Sequence, residues 1–137
     1  MKKTIKILLS VVTVIFCFSF VSCGGPNTDP DKAIEALKEN GINWVTKDDV
    51  AMPLVLRGLG IEDVDCVVSG TGKIDGEYAH ITIIYFEEVE DAKKEWEDVQ
   101  KYAKDDKDDE AKDSEWVCKK SDKMIYYGTK NAVAAAK

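Results

Sequence analysis

One histidine stands among 137 residues, and that scarcity narrows the chemistry at once. A hydrolytic triad with a histidine base, or a histidine-rich zinc site, has a single candidate member, His80. Neither G-x-S-x-G nor H-E-x-x-H occurs in the chain, so two local signatures of serine and zinc hydrolysis are missing. No acidic residue precedes Asp29, and acids outnumber bases after it. Lys and Arg total 19 against 26 Asp and Glu, and three of those lysines (Lys2, Lys3, Lys6) sit at the very start. Removing residues 1–22 leaves 16 basic against 26 acidic residues, a net charge of −10. A surface of that sign repels phosphate backbones and anionic headgroups. Nucleic acid is therefore disfavoured as a partner, and so is membrane contact beyond a lipid anchor itself.

What the beginning does hold is an apolar run, Ile7–Val21, broken only by Ser10, Thr13 and Ser19. Its fifteen residues fall short of the roughly 20 that a spanning helix needs. Small residues follow it (Ser22, Cys23, Gly24, Gly25), with no basic stop. A positive start, a short apolar stretch and a small-residue end have the shape of a removed export signal.

Phe20-Val21-Ser22-Cys23 resembles the lipobox of bacterial lipoproteins, with Ser22 as the small residue before the thiol of Cys23. Phe20 stands where that family most often has leucine. The resemblance covers residues 1–23 and implies that Cys23 receives a diacylglyceryl group and that the bond before it is cut. It places the mature protein on the outer face of a bacterial cytoplasmic membrane, or on the outer membrane of a Gram-negative cell. The alternatives are an ordinary cleaved secretory signal and an uncleaved N-terminal anchor. Stable anchoring takes two acyl chains at about 0.8 kcal/mol per buried CH₂, and a diacylglyceryl group has two. Residues 23–28 then form a flexible leash, and residues 29–137 a single domain able to bury a core without staples.

Along that domain, Asp29-Pro30-Asp31 predicts a helix start and Gly41 its stop. Ile42–Thr46 alternates as a short strand. Asp48 or Asp49 caps a second helix running to Leu59, with Pro53 as an alternative first residue. Val64–Ser69 and Tyr78–Phe86 form a hairpin around a turn at residues 70–76. Val89, Ala92, Trp96, Val99 and Ala103 recur at three and four, marking the strongest helix, Glu87–Lys104. Residues 105–114 lose periodicity. Trp116–Lys119 and Met124–Tyr127 are two further strands, and Thr129 caps a last helix. The order indicates an α+β fold: one antiparallel sheet with helices packed on it. From the first strand onward, βαββαβ suggests a ferredoxin-like arrangement with an added strand and helix. Helices over one face would bury Trp44, Ile81, Ile83, Trp96 and Trp116.

The candidate sites follow from this frame. Cys66 and Cys118 stand in an oxidising compartment and are a candidate disulfide. The ferredoxin-like order sets their strands three spacings apart, roughly 14 Å, beyond the limit of about 7 Å between Cα atoms. Two buried thiols are the alternative. His80 shares a strand face with Thr82, Ile84 and Phe86, as a surface or half-buried residue. The acidic stretch Asp105–Asp113 suggests weak calcium binding, yet it lacks the sixth-position glycine and twelfth-position glutamate of an EF-hand counted from Asp106. Lysines at 104, 107 and 112 make a solvated loop the simpler reading. Ser69-Gly70-Thr71-Gly72-Lys73 lacks the phosphate-loop pattern and joins strands instead of opening a helix. Finally, Tyr78, Ile84 and Phe86, with Tyr126 or Tyr127, are a candidate aromatic binding face, unless a terminal helix covers them. The functional expectation is a lipid-anchored extracytoplasmic module, non-catalytic and without cofactor or metal, that binds a protein or small-molecule partner. An envelope hydrolase using His80 and a calcium-responsive surface protein are the alternatives.

Overall fold

The structure, a computed structural model, describes residues 25–107, 111 and 114–137. Its elements run α1 (Pro30–Glu39), β1 (Trp44–Asp48), α2 (Ala51–Gly58), β2 (Val64–Ile74), β3 (Glu77–Phe86), α3 (Val89–Asp106), β4 (Trp116–Ser121), β5 (Met124–Thr129) and α4 (Lys130–Ala135). Asp29 caps α1, its carboxylate accepting from the Asp31 N–H at 2.9 Å, with Pro30 opening the first turn. Gly41, at φ 95°, ends the helix in a Schellman motif: its N–H donates to the Lys38 carbonyl, and the Ile42 N–H to that of Leu37 at 3.0 Å. Gly60 ends α2 in the same way, with the Ile61 N–H donating to the Leu56 carbonyl at 2.9 Å. In both caps the two bonded residues are buried, so each turn also closes a hydrophobic pair. The start of α2 is set by Asp48, whose carboxylate accepts from the N–H groups of Val50 and Ala51. Pro53 then falls in the first turn, where a missing N–H costs nothing.

Asp75 and Gly76, at φ 53° and 82°, make a two-residue hairpin turn of the kind that matches strand twist. The strand before it therefore runs to Ile74, past the predicted end at Ser69. The sheet has five strands in the order β1-β2-β3-β5-β4, every neighbour antiparallel. The protein is thus α+β with one antiparallel sheet. The finer ferredoxin-like order is not the one adopted. A split βαβ unit keeps its two strands parallel with a third strand between them; here β1 instead joins β2 directly as an antiparallel neighbour, with α2 between them in sequence.

Helices lie on both faces of the sheet, not on one. Cys66, Val68, Ile81, Ile83, Tyr85 and Tyr126 form one core with Ala33 and Leu37 of α1 and Ala132 and Val133 of α4. Val67, Ile84, Phe86, Ile125 and Tyr127 form the other with Leu56 of α2 and Ala92, Val99 and Ala103 of α3. The cause is β3, apolar on both sides, so that two covers are required. A bulge between Val64 and Cys66 shifts the register there and turns Val64 toward the α3 side. Glu95, which is not among the apolar positions that recur along α3, is nevertheless buried and accepts from the Glu62 N–H at 3.3 Å. Trp44 is 79% exposed, contrary to the expected burial. Gly128 is where β5 closes on β3: a Cβ there would overlap the His80 carbonyl oxygen.

Candidate functional site

His80 projects from β3 on the α3 side, where the end of that helix passes over the sheet. Cross-strand pairing sets Thr71 opposite it, and the Thr71 hydroxyl lies 3.0 Å from His80 Nδ1. Nε2 lies 3.4 Å from the Thr82 hydroxyl and 3.9 Å from Asp106 Oδ2. Tyr127 donates its hydroxyl proton to the same Asp106 oxygen at 2.9 Å. Burial, and then the Asp106 charge, push the Tyr127 phenol well above its ordinary range. It therefore stays a donor at any physiological pH. The Trp116 ring lies parallel to the imidazole, with centroids 6.1 Å apart, and its indole N–H is buried without an acceptor. Lys107 stands 5.8 Å from the centre of that ring.

The cluster joins one histidine, one carboxylate, two threonine hydroxyls and a tyrosine. A triad needs a nucleophile on the histidine and preorganised donors for the oxyanion. Thr71 offers its hydroxyl at 3.0 Å, and it sits on an interior strand whose neighbours are β1 and β3. The backbone N–H of His80 is spent on the Thr129 hydroxyl at 3.1 Å. The geometry is that of a histidine fixed in place by the sheet. Sequence reasoning found His80 but not its company. The signal was present: with the turn at Asp75-Gly76, counting back along the hairpin pairs Thr71 with His80 (Tyr127 and Asp106 come from longer-range packing).

The other candidates are dispersed. Ile84 and Phe86 are 0% and 2% exposed beneath α3 and α2, so Tyr78, Ile84 and Phe86 do not form a binding face. The terminal helices, expected there, cover the opposite side. Tyr78 lies at the far end of β3, its carbonyl accepting from the Asn131 amide at 3.2 Å. Cys66 and Cys118 are free thiols, three strand spacings apart as in the expected order. They also lie on opposite faces of the sheet, which rules out the disulfide. Of the acidic stretch, residues 108–110 and 112–113 lie outside the described residues, as do Phe20, Val21, Ser22 and Cys23. Among the described residues no group of three or more His, Cys, Asp or Glu is arranged to hold a metal ion. No helix among them is long and apolar enough to cross a membrane.

A surface that the sequence did not flag is the outer side of α2. The helix carries one charge, Arg57, and is otherwise apolar or glycine, a composition that usually means burial. Leu56 points into the core, whereas Val50, Leu54, Val55 and Leu59 are half or more exposed. Trp44 lies on the same face of the sheet, on the outermost strand. Comparison with protein-family models, with curated proteins and with solved structures finds no match.

Proposed function

We propose that the protein is a lipid-anchored extracytoplasmic interaction module that holds a protein partner and performs no catalysis. The supporting observation is the exposure of Val50, Leu54, Val55 and Leu59 along α2 and its ends, with Trp44 exposed on the same face of the sheet. Monomeric proteins rarely leave large contiguous apolar patches to water, and such patches mark binding surfaces. A short helix with leucines and valines on its outer side fits an apolar groove, here through two pairs spaced at four, Val50 with Leu54 and Val55 with Leu59. The lipobox-like Phe20-Val21-Ser22-Cys23 supplies the tether.

A photo-crosslinking residue at Val55 in living cells tests this reading. A discrete adduct is expected at Val55 and not at Glu97 on α3, with loss of about tenfold or more in Leu54→Asp, the effect of removing a buried interface anchor. No adduct at Val55, or equal adducts at both positions, would remove the reading.

A second reading, an envelope hydrolase, draws on His80 beside Asp106 and Thr71. It predicts ester turnover lost in His80→Ala with the melting temperature unchanged. Retained turnover, or none in the parent, dismisses it.

A further inference from the structure

The net charge of the domain conceals a division. From Ser114 to Lys137 five lysines stand against two acids, whereas from Asp29 to Asp113 eleven basic residues stand against 24 acids. Folding gathers most of those lysines on one rim. Between β4, the last strand of the sheet, and α4 runs a groove of about 740 Å³ lined by Lys119, Lys120, Lys130 and Lys137. Its one side-chain carboxylate, Glu115, is already paired with Lys130 at 3.6 Å. Lys120 leans the other way, 5.9 Å from the centre of the Trp96 ring. Among the described residues neither Lys119 nor Lys137 is in an ion pair.

The N-terminal segment enters the domain through the same groove. Gly25 is part of its wall and lies against the Tyr126 ring. Asn27 is fixed just beyond, its N–H donating to the Ala136 carbonyl at 2.8 Å and its carbonyl accepting from the Tyr85 hydroxyl at 2.8 Å. Cys23 is two residues before Gly25. Two residues of chain reach at most about 7 Å, within the Debye length of about 8 Å at physiological salt. A lipid on Cys23 would hold the groove close enough to the bilayer for its lysines to feel headgroup charge only partly screened.

We propose that the lysine-lined groove between β4 and α4 docks on anionic phospholipid headgroups, laying the β4 edge of the domain on the membrane. This rests on the tether proposed above. It also revises the expectation drawn from net charge: the acidic residues repel the bilayer, the groove is attracted, and the balance fixes one orientation. The apolar stripe on α2 then faces away from the lipid.

The test uses the full chain as isolated from membranes, reconstituted into vesicles of phosphatidylcholine alone or mixed with phosphatidylglycerol. A short acetylation pulse, read by mass spectrometry, measures the rate at each lysine. Lys119, Lys130 and Lys137 are expected to slow by about fivefold or more on the anionic vesicles. The protection disappears in high salt and in Lys119→Glu/Lys137→Glu, while Lys93 and Lys101 on α3 label equally throughout. Equal rates at the groove lysines on both vesicles overturn the proposal. The N-terminal peptide in the same digests reads the tether separately. An acylated Cys23 without protection removes the groove and keeps the tether. Protection with an unacylated Cys23 does the reverse.

Discussion

The two edges of the sheet are built to opposite ends. β1 is short and is followed by a helix whose outer side is leucine and valine, with Trp44 open to water. β4, four strand spacings or roughly 19 Å away, borders a lysine-lined groove that also receives the N-terminal chain. A free edge strand invites pairing with other chains, and proteins blunt such edges with charge. The β4 edge carries Lys119 and Lys120; the β1 edge carries only Lys47, which is drawn to Asp31 at 3.2 Å. The contrast teaches that a net charge of −10 over residues 29–137 says little about either edge. Composition sets the average, and the fold decides where the exceptions gather.

The comparison can be broken or sharpened by substitution. The largest effect is expected at neither edge but at the seam between them. Gly128→Ala forces a Cβ into the His80 carbonyl and should cost about 3 kcal/mol or more by overpacking. Chemical denaturation should show both edges lost together; a fragment that keeps the α2 side folded would divide the protein into two units. Next in size is the difference between the two sides of α2. Leu56→Ala, in the core, should cost about 3 kcal/mol, and Leu54→Ala no more than about 0.5 kcal/mol. Equal losses would mean that the outer stripe supports the fold and is not held for a partner.

A smaller effect separates the thiols. Burial, with Asp65 adding, raises the Cys66 thiol from 9.0 to about 11. An unfolded chain therefore sheds this proton first, and stability that is full below pH 9 is lost as pH rises through about 11. Tyr85 and Tyr127, both raised chiefly by burial, act in the same direction. Melting temperature should stay level toward pH 9 and then fall, less steeply in Cys66→Ala. An unchanged slope would place the thiol outside the core. Half-buried Cys118, near the β4 edge, should alkylate before Cys66; the reverse order would contradict the packing of the two faces. The smallest effect is Lys47→Ala, which breaks an exposed pair with Asp31 and should leave the melting temperature unchanged.

Much of this architecture was legible because the responsible signals are local. Asp29, Pro30 and Gly41 act through their own backbone groups, and the period of α3 needs no partner to be seen. What the sequence could not supply was which face each helix takes. Ile81 and Ile83 on one side of β3 and Ile84 and Phe86 on the other are equally apolar, so alternation offers no choice between them. The bulge at Val64/Cys66 shifts a strand face without any glycine to announce it. β2 outruns its sequence-based end at Ser69 because Gly70 and Gly72 have the composition of a turn. They lie instead on the strand, packed near Ile42, and the turn is made by Asp75 and Gly76. Around His80, Thr71 was within reach of simple counting, whereas Asp106 and Tyr127 meet it only through packing of α3 on β5.

The orientation of the two edges on a bilayer is the most direct test. Nitroxide labels are placed at Val55 and, separately, at Ala134 beside the groove, in membrane-anchored protein carrying Cys66→Ala and Cys118→Ala. Relaxation by a nickel chelate attached to lipid headgroups should be strong at position 134 and near background at 55. Equal relaxation at the two positions, or the stronger effect at 55, would contradict a lysine edge on the membrane and an apolar edge turned away from it.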